Sequence, residues 1–272
     1  MEKARVLIVT QEMNPYLNLS EISKIARSLP QHIQEKGMEI RILMPRFGDI
    51  NERRHRLHEV VRLSGINITV ADEDYPLIIK VASLPNARMQ VYFLDNEDLF
   101  KRKGVFANAK GEPFEDNAER MTFFCKGVLE TVKKFGWPPN IIHCHGWMTG
   151  LIPYYLKTNY KDDPVFNNSK AIFSVYNDLK GGVAPESLQN IAELDDENYP
   201  VELEFFNKGD VNSLNAAAAS CADGVIIGSD KVDATDLLAK NGKPILEFQG
   251  EEDYLAAYHT FYNDLLSAVD SK

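Results

Sequence analysis

Trp137-Pro-Pro-Asn-Ile-Ile-His-Cys-His-Gly-Trp-Met-Thr-Gly150 is the stretch from which the fold is read. Asn140 to Cys144 is short, apolar and β-branched, and it runs into a polar, aromatic turn that opens a helix. That is the signature of a buried strand in an open α/β sheet, where ligands collect just beyond the carboxyl ends of strands. The period-2 alternation of a strand puts His143 and His145 on one side and Cys144 on the other. The two imidazoles are therefore partners, either as ligand contacts at a strand end or as hydrogen-bonded core residues. Cys144 reads as packing.

Working toward the N-terminus, Ala4 to Thr10 is a near-continuous apolar run of the kind found in central parallel strands. Ser20 is the predicted N-cap of a helix whose apolar face is Ile22, Ile25, Ala26, Leu29 and Ile33. Pro30 is expected to bend or shorten it. Glu39 to Met44 follows as a second strand, so the opening is a β-α-β unit with a right-handed crossover. Arg46 to Arg56 reads as a surface loop. Leu57–Leu63, Ile66–Val70, Leu77–Ser83 and Gln90–Leu94 are closely spaced strands, which predicts an antiparallel extension of the parallel sheet. Asp95 to Asn117 is loop-rich and reads as a flap, and Ala118 to Phe135 is an amphipathic helix.

Toward the C-terminus, a helix is predicted from about Trp147 to Lys157 and a strand over Ala171–Val175. The turn Leu179–Pro185 carries Gly181-Gly182, which matches neither the dinucleotide fingerprint nor the P-loop. Glu186 to Asp210 is acidic and partly helical, and reads as a solvated face. A small-residue helix over Ala216–Ala222, a strand over Val225–Gly228, a helix over Ala234–Lys240 and a strand over Lys243–Phe248 complete the sheet. The tail from Glu251 is a helix with Tyr254, Tyr258, Phe261, Leu265 and Val269 on one stripe, placed to pack on the domain or on a partner. The expectation is one α/β domain over residues 1–272, Rossmann-like and doubly wound, with a mainly parallel sheet.

Composition narrows the function classes. A formal charge of -10 argues against nucleic acid or an anionic membrane as partner. No apolar run approaches the roughly 18 residues of a membrane span. The opening Met-Glu-Lys-Ala-Arg leads straight into a strand, which reads against a signal peptide. Cys125, Cys144 and Cys221 lie far apart in apolar segments, as reduced thiols of a cytoplasmic protein do. His143 and His145 lack a third ligand at metal-site spacing, so no metal is expected.

Several segments, in order, resemble the N-terminal catalytic domain of the glycogen and starch synthases. They are Arg5-Val-Leu-Ile-Val-Thr-Gln-Glu-Met-Asn-Pro15, Ser28-Leu-Pro30, Lys36 to Arg46, Val91 to Asn96, Phe100 to Phe106, Phe114 to Arg120, Trp137 to Trp147 and Ala222 to Ser229. The resemblance implies one half of a GT-B glucosyltransferase that uses ADP-glucose to extend an α-1,4-glucan, with no further cofactor. It implies substrate contacts at Glu12, Asp116, Asn117, Arg120, His143, His145, Trp147 and Asn177. It also implies that the sugar-nucleotide domain lies outside this chain, so that a partner polypeptide would have to supply it.

The chain departs from the family at several positions. Asn18-Leu19-Ser20-Glu21-Ile22 stands where the family has Lys-Thr-Gly-Gly-Leu at the donor phosphates. Lys24 replaces an acidic residue, Gly146 an aspartate and Tyr176 a histidine. Three functions follow as expectations: a transferase weak or inactive alone, a non-catalytic glucan-binding or regulatory subunit, or another small-ligand enzyme with His145 as acid/base. For glucan stacking the candidate exposed aromatics are Tyr16, Trp147, Tyr154 and Tyr155.

Overall fold

A computed structural model describes residues 3–177, 180–194, 197–232 and 242–268. The predicted helix over Ala234–Lys240 lies outside the described residues, as do Val269 of the tail stripe and Leu179 of the glycine turn. Strand β1 (Arg5–Thr10) leads to helix α1 (Ile22–Glu35) and β2 (Glu39–Pro45). A short α2 (Glu52–His55) and the strands β3 (His58–Glu59), β4 (Ile66–Val70), β5 (Glu73–Ser83) and β6 (Gln90–Asp95) follow. Next come α3 (Glu97–Phe100), α4 (Asn117–Phe135), β7 (Ile141–His145), a 3-10 turn over Trp147–Thr149, α5 (Leu151–Lys157) and β8 (Lys170–Val175). The chain ends with α6 (Ser187–Ile191), α7 (Pro200–Lys208), α8 (Val211–Cys221), β9 (Gly224–Ile227), β10 (Ile245–Leu246) and α9 (Gly250–Ser267).

The strands form one sheet in the order β10-β9-β8-β7-β1-β2-β6-β5-β3, with β4 paired to β5. Pairing is parallel from β10 to β6 and antiparallel from β6 outward, the predicted parallel core with an antiparallel extension. The chain builds from β1 toward β2 and β6, then returns to the other side of β1 and builds β7, β8, β9 and β10. That reversal makes a topological switch point at the carboxyl ends of β1 and β7, where Thr10 faces His145 in register.

Helices cover both faces. Helix α1 packs on β1 and β2, with α9 beside it, while α4, α5 and α8 pack together on the opposite face. Val6 to Val9 and Ile141 to His145 are fully buried, which is why both strands read as unbroken apolar runs. Among the described residues no helix is long and apolar enough to cross a membrane.

Three local expectations change. Helix α1 is not shortened at Pro30; it runs on to Glu35, with the proline ring buried among the core side chains. Glu21, not Ser20, occupies the N-cap position but makes no side-chain cap bond; the Ser20 hydroxyl, which donates to Glu12, accepts the Ile22 N–H at 3.2 Å. The Asp95–Asn117 stretch is anchored rather than flap-like: Leu99, Phe100, Val105 and Phe106 are buried in it.

Candidate functional site at the carboxyl edge of the sheet

The turn after β1 is organised by one carboxylate. Glu12 is fully buried, and its Oε2 accepts the backbone N–H groups of Leu19 (2.6 Å) and Ser20 (2.9 Å). Its Oε1 accepts the Ser20 hydroxyl at 2.6 Å. A buried carboxylate is tolerable only with such donors around it. Glu12 thus holds the Asn18–Ser20 loop in place, and Asn18 accepts the Ser23 hydroxyl at 2.6 Å. Beyond the loop, Glu21 and Lys24 line a cleft of about 540 Å3 together with Asp230, Glu251, Tyr254 and Tyr258.

At the end of β7 the two histidine rings lie side by side, 3.9 Å apart, as the alternation predicts. Both are fully buried. His143 Nδ1 meets the Tyr262 hydroxyl at 2.6 Å and its Nε2 meets the Ser174 hydroxyl at 2.7 Å. Hydroxyls donate or accept as needed, so they satisfy a neutral imidazole in either tautomer. His145 Nδ1 meets the Tyr176 hydroxyl at 2.8 Å. Its Nε2 is buried and finds no hydrogen-bond partner among the described residues. Tyr258 of α9 closes over the pair, 5.9 Å from the His143 ring.

Burial sets the charge state of this cluster. Loss of water pulls His143 well below its ordinary pKa, with the neighbouring His145 adding to the effect. The same burial takes His145 down to about 3. Both imidazoles are neutral near pH 7. Burial likewise pushes the Tyr176 and Tyr262 hydroxyls well up, so neither serves as a base.

Gly146 follows with φ +86°, a backbone conformation that residues with a side chain rarely adopt. A Cβ there would sit 2.3 Å from the Gln11 side chain. Gln11 is fully buried and its Oε1 accepts the Met148 N–H at 3.3 Å. Where the resemblance implies an aspartate, this chain has a glycine turn filled by Gln11 from the neighbouring strand end.

The other sequence-predicted site residues form a separate cluster. Trp147 is buried, packs on Phe106, and its indole N–H donates to the Lys180 carbonyl at 3.1 Å. Gly181 lies against that indole so closely that a Cβ would be 2.7 Å from it, so the glycine pair seats the chain on Trp147. Asn117 donates to the carbonyls of Phe106 and Gly182, both at 2.9 Å. Arg120 donates to the carbonyls of Leu99 and Val105, both at 2.8 Å, and its guanidinium sits over the rings of Phe47, Phe100 and Phe114. Burial lowers its pKa to about 10, which leaves it a cation. Asp116 is half-buried and ion-paired with Arg102. These groups pin the loop between β6 and α4. Asn177 stands apart, exposed at the end of β8.

The aromatics expected on the surface are buried. Tyr16, Trp147, Tyr154 and Tyr155 all sit in the core. Tyr16 and Tyr155 spend their hydroxyls on the carbonyls of Ser83 and Ala192. Conversely, Gln11, Ser174, Tyr258 and Tyr262 are site residues that strand-end reading misses. The tail stripe of Tyr254, Tyr258 and Phe261 is the one signal that pointed toward any of them, and it named Tyr258 alone. No group of three or more His, Cys, Asp or Glu side chains among the described residues is arranged to hold a metal ion.

The mainly parallel sheet with helices on both faces and a switch point between β1 and β7 is the architecture of a GT-B-type domain. The profile of the starch synthase catalytic domain matches residues 5–235, and the chain belongs to that family. It is 42% identical over 182 residues to the glycogen synthase of Chlorobium limicola, covering 66% of this chain and 37% of that protein. To the glycogen synthase of Chlorobaculum tepidum it is 37% identical over 269 residues, covering 98% of this chain and 53% of the relative. The chain thus spans about half the length of that relative or less of the others. The catalytic domain of starch synthase IV from Arabidopsis thaliana, bound to ADP and acarbose, shares the fold with a TM-score of 0.74 at 17% identity, over 92% of this chain and 52% of that one.

Proposed function

We propose that this chain is a glycogen/starch synthase-type domain that does not transfer glucose by itself and acts as a glucan-binding or regulatory subunit. The observation that carries this reading is the closure over the strand end: His143 and His145 are sealed under Tyr176, Tyr258 and Tyr262, with no exposed imidazole edge. A group that protonates or orients a sugar hydroxyl must come within about 3 Å of it. The neighbouring cleft supports the same reading. Three carboxylates, Glu21, Asp230 and Glu251, face one lysine, Lys24, where a departing diphosphate would need cations. Asn117 is engaged by the carbonyls of Phe106 and Gly182, and Arg120 by those of Leu99 and Val105.

Incubating the purified chain with labelled ADP-glucose and glycogen tests the proposal directly, and no incorporation is expected even at high protein concentration. Turnover by the chain alone would overturn the non-catalytic reading. Retarded migration in a glycogen-containing native gel is the expected positive result, and unretarded migration would sink the glucan-binding half of the proposal.

A further inference from the structure

One open cleft at the carboxyl edge is not absorbed by that reading. It lies beyond the ends of β8 and β9, encloses about 380 Å3, and is lined by Asn177, Phe205, Lys208, Asn212, Asn215 and Lys231. Three elements converge on it. Asn177 leaves β8 exposed, α7 contributes Phe205 and Lys208, and the first turns of α8 contribute the other two asparagines. The Lys208 ammonium sits over the Phe205 ring at 4.8 Å, so the aromatic surface holds the cation at the rim. Among the described residues its one ion-pair partner is Glu204, 3.6 Å away on the exposed flank, a contact too exposed to neutralise it. Asn215 is buried and its Nδ2 reaches the Tyr176 carbonyl at 3.4 Å, which fixes the floor. The free N–H groups of α8 do not make this site, because Asp210 caps them through Ser213.

The chemistry of that lining differs from that of the neighbouring cleft at the same edge of the sheet. No carboxylate lines the cleft among the described residues, in a chain whose formal charge is -10. The neighbouring cleft at α1, by contrast, carries three carboxylates to one lysine. Two ammonium groups and three side-chain amides offer donors to phosphate oxygens and to ring hydroxyls alike, and the Phe205 ring offers an apolar face to a sugar. We propose that this cleft binds a phosphorylated monosaccharide, with Lys208 and Lys231 on the phosphate and Asn177 and Asn212 on the sugar hydroxyls. The inference stands apart from the glucan-binding reading, since a small anionic sugar and a neutral polymer are separate ligands.

Calorimetric titration of the full chain with glucose 1-phosphate tests it, with inorganic phosphate and glucose as separate arms. Saturable binding of the sugar phosphate, tighter than either fragment, is expected. Lys208→Gln and Lys231→Gln should each weaken it about tenfold, the loss expected of a charge-assisted hydrogen bond. Both lysines are exposed, so the variants should fold, and an unchanged melting temperature without ligand checks this. Absence of binding, equal binding of inorganic phosphate, or undiminished binding by the double variant would each overturn the proposal. A failed glycogen gel shift alongside intact sugar-phosphate binding would fault the glucan reading alone.

Discussion

The ends of β7 and β8 are adjacent in the sheet and carry similar sequence signals, yet they meet opposite fates. At β7 a His-Cys-His run is roofed by α9, and every imidazole nitrogen but one is spent on a tyrosine or serine hydroxyl. At β8 the chain turns through Tyr176, which belongs to the roofed cluster, and one residue later exposes Asn177 to an open cleft. The difference lies in what covers each strand end and not in the strands themselves. Tyr258, Phe261, Tyr262 and Leu265 of α9 are buried, and burying each side chain favours the closed arrangement by about 1.5–3 kcal/mol before the entropy of ordering the helix. Among the described residues nothing comparable lies over Asn177.

Acid should break this comparison hardest. His143 and His145 are held neutral in the fold but accept protons near pH 6.5 once unfolded. Their contribution is fully present above pH 6.5 and is lost as pH falls, for His145 down to about 3. Each histidine withdraws about 1.4 kcal/mol per pH unit within that window. Between pH 6.5 and 5.0, above the range where carboxylates such as Glu52 titrate, urea midpoints should therefore drop steeply. His145→Asn should flatten the slope, and a pH-independent midpoint would contradict the buried neutral pair.

Gly146→Asp, which restores the residue the resemblance implies, should come next. Its φ of +86° and the 2.3 Å approach to Gln11 both oppose a side chain, so a loss of about 1–3 kcal/mol is expected. Adding Gln11→Ala should recover the packing part and leave the backbone part. Full recovery would show that Gln11 alone excludes the aspartate. Asn177→Ala should do least, shifting stability by under about 0.5 kcal/mol, because the side chain is exposed. A large thermal shift from that change would mean the β8 end is as structural as the β7 end.

Much of the frame was legible in the residues. Buried parallel strands announce themselves as apolar runs, and hairpins as close-set short ones, so β1, β2, β6 and the antiparallel β4 and β5 fell where expected. The pairing of His143 with His145, opposite Cys144, followed from the pleat. The site was less legible. Trp147 and Arg120 look like ligand-contacting types in sequence, but their partners are the carbonyls of Lys180, Leu99 and Val105, brought in from distant loops. Phe205 carried no local signal, since its exposure depends on where α7 settles against α8.

The sequence by itself determined the sheet, its parallel core and the face each strand residue takes, because those follow from local periodicity and hydrophobic pattern. Only the tertiary structure decided that the histidines are sealed and that Asn177 is open. The tail stripe on α9 said that this helix must bury one face, but not against what. Its landing on β7–β9 is a long-range packing choice, set by shape and burial across more than a hundred residues of chain, as the His143–Tyr262 hydrogen bond shows with its separation of 119.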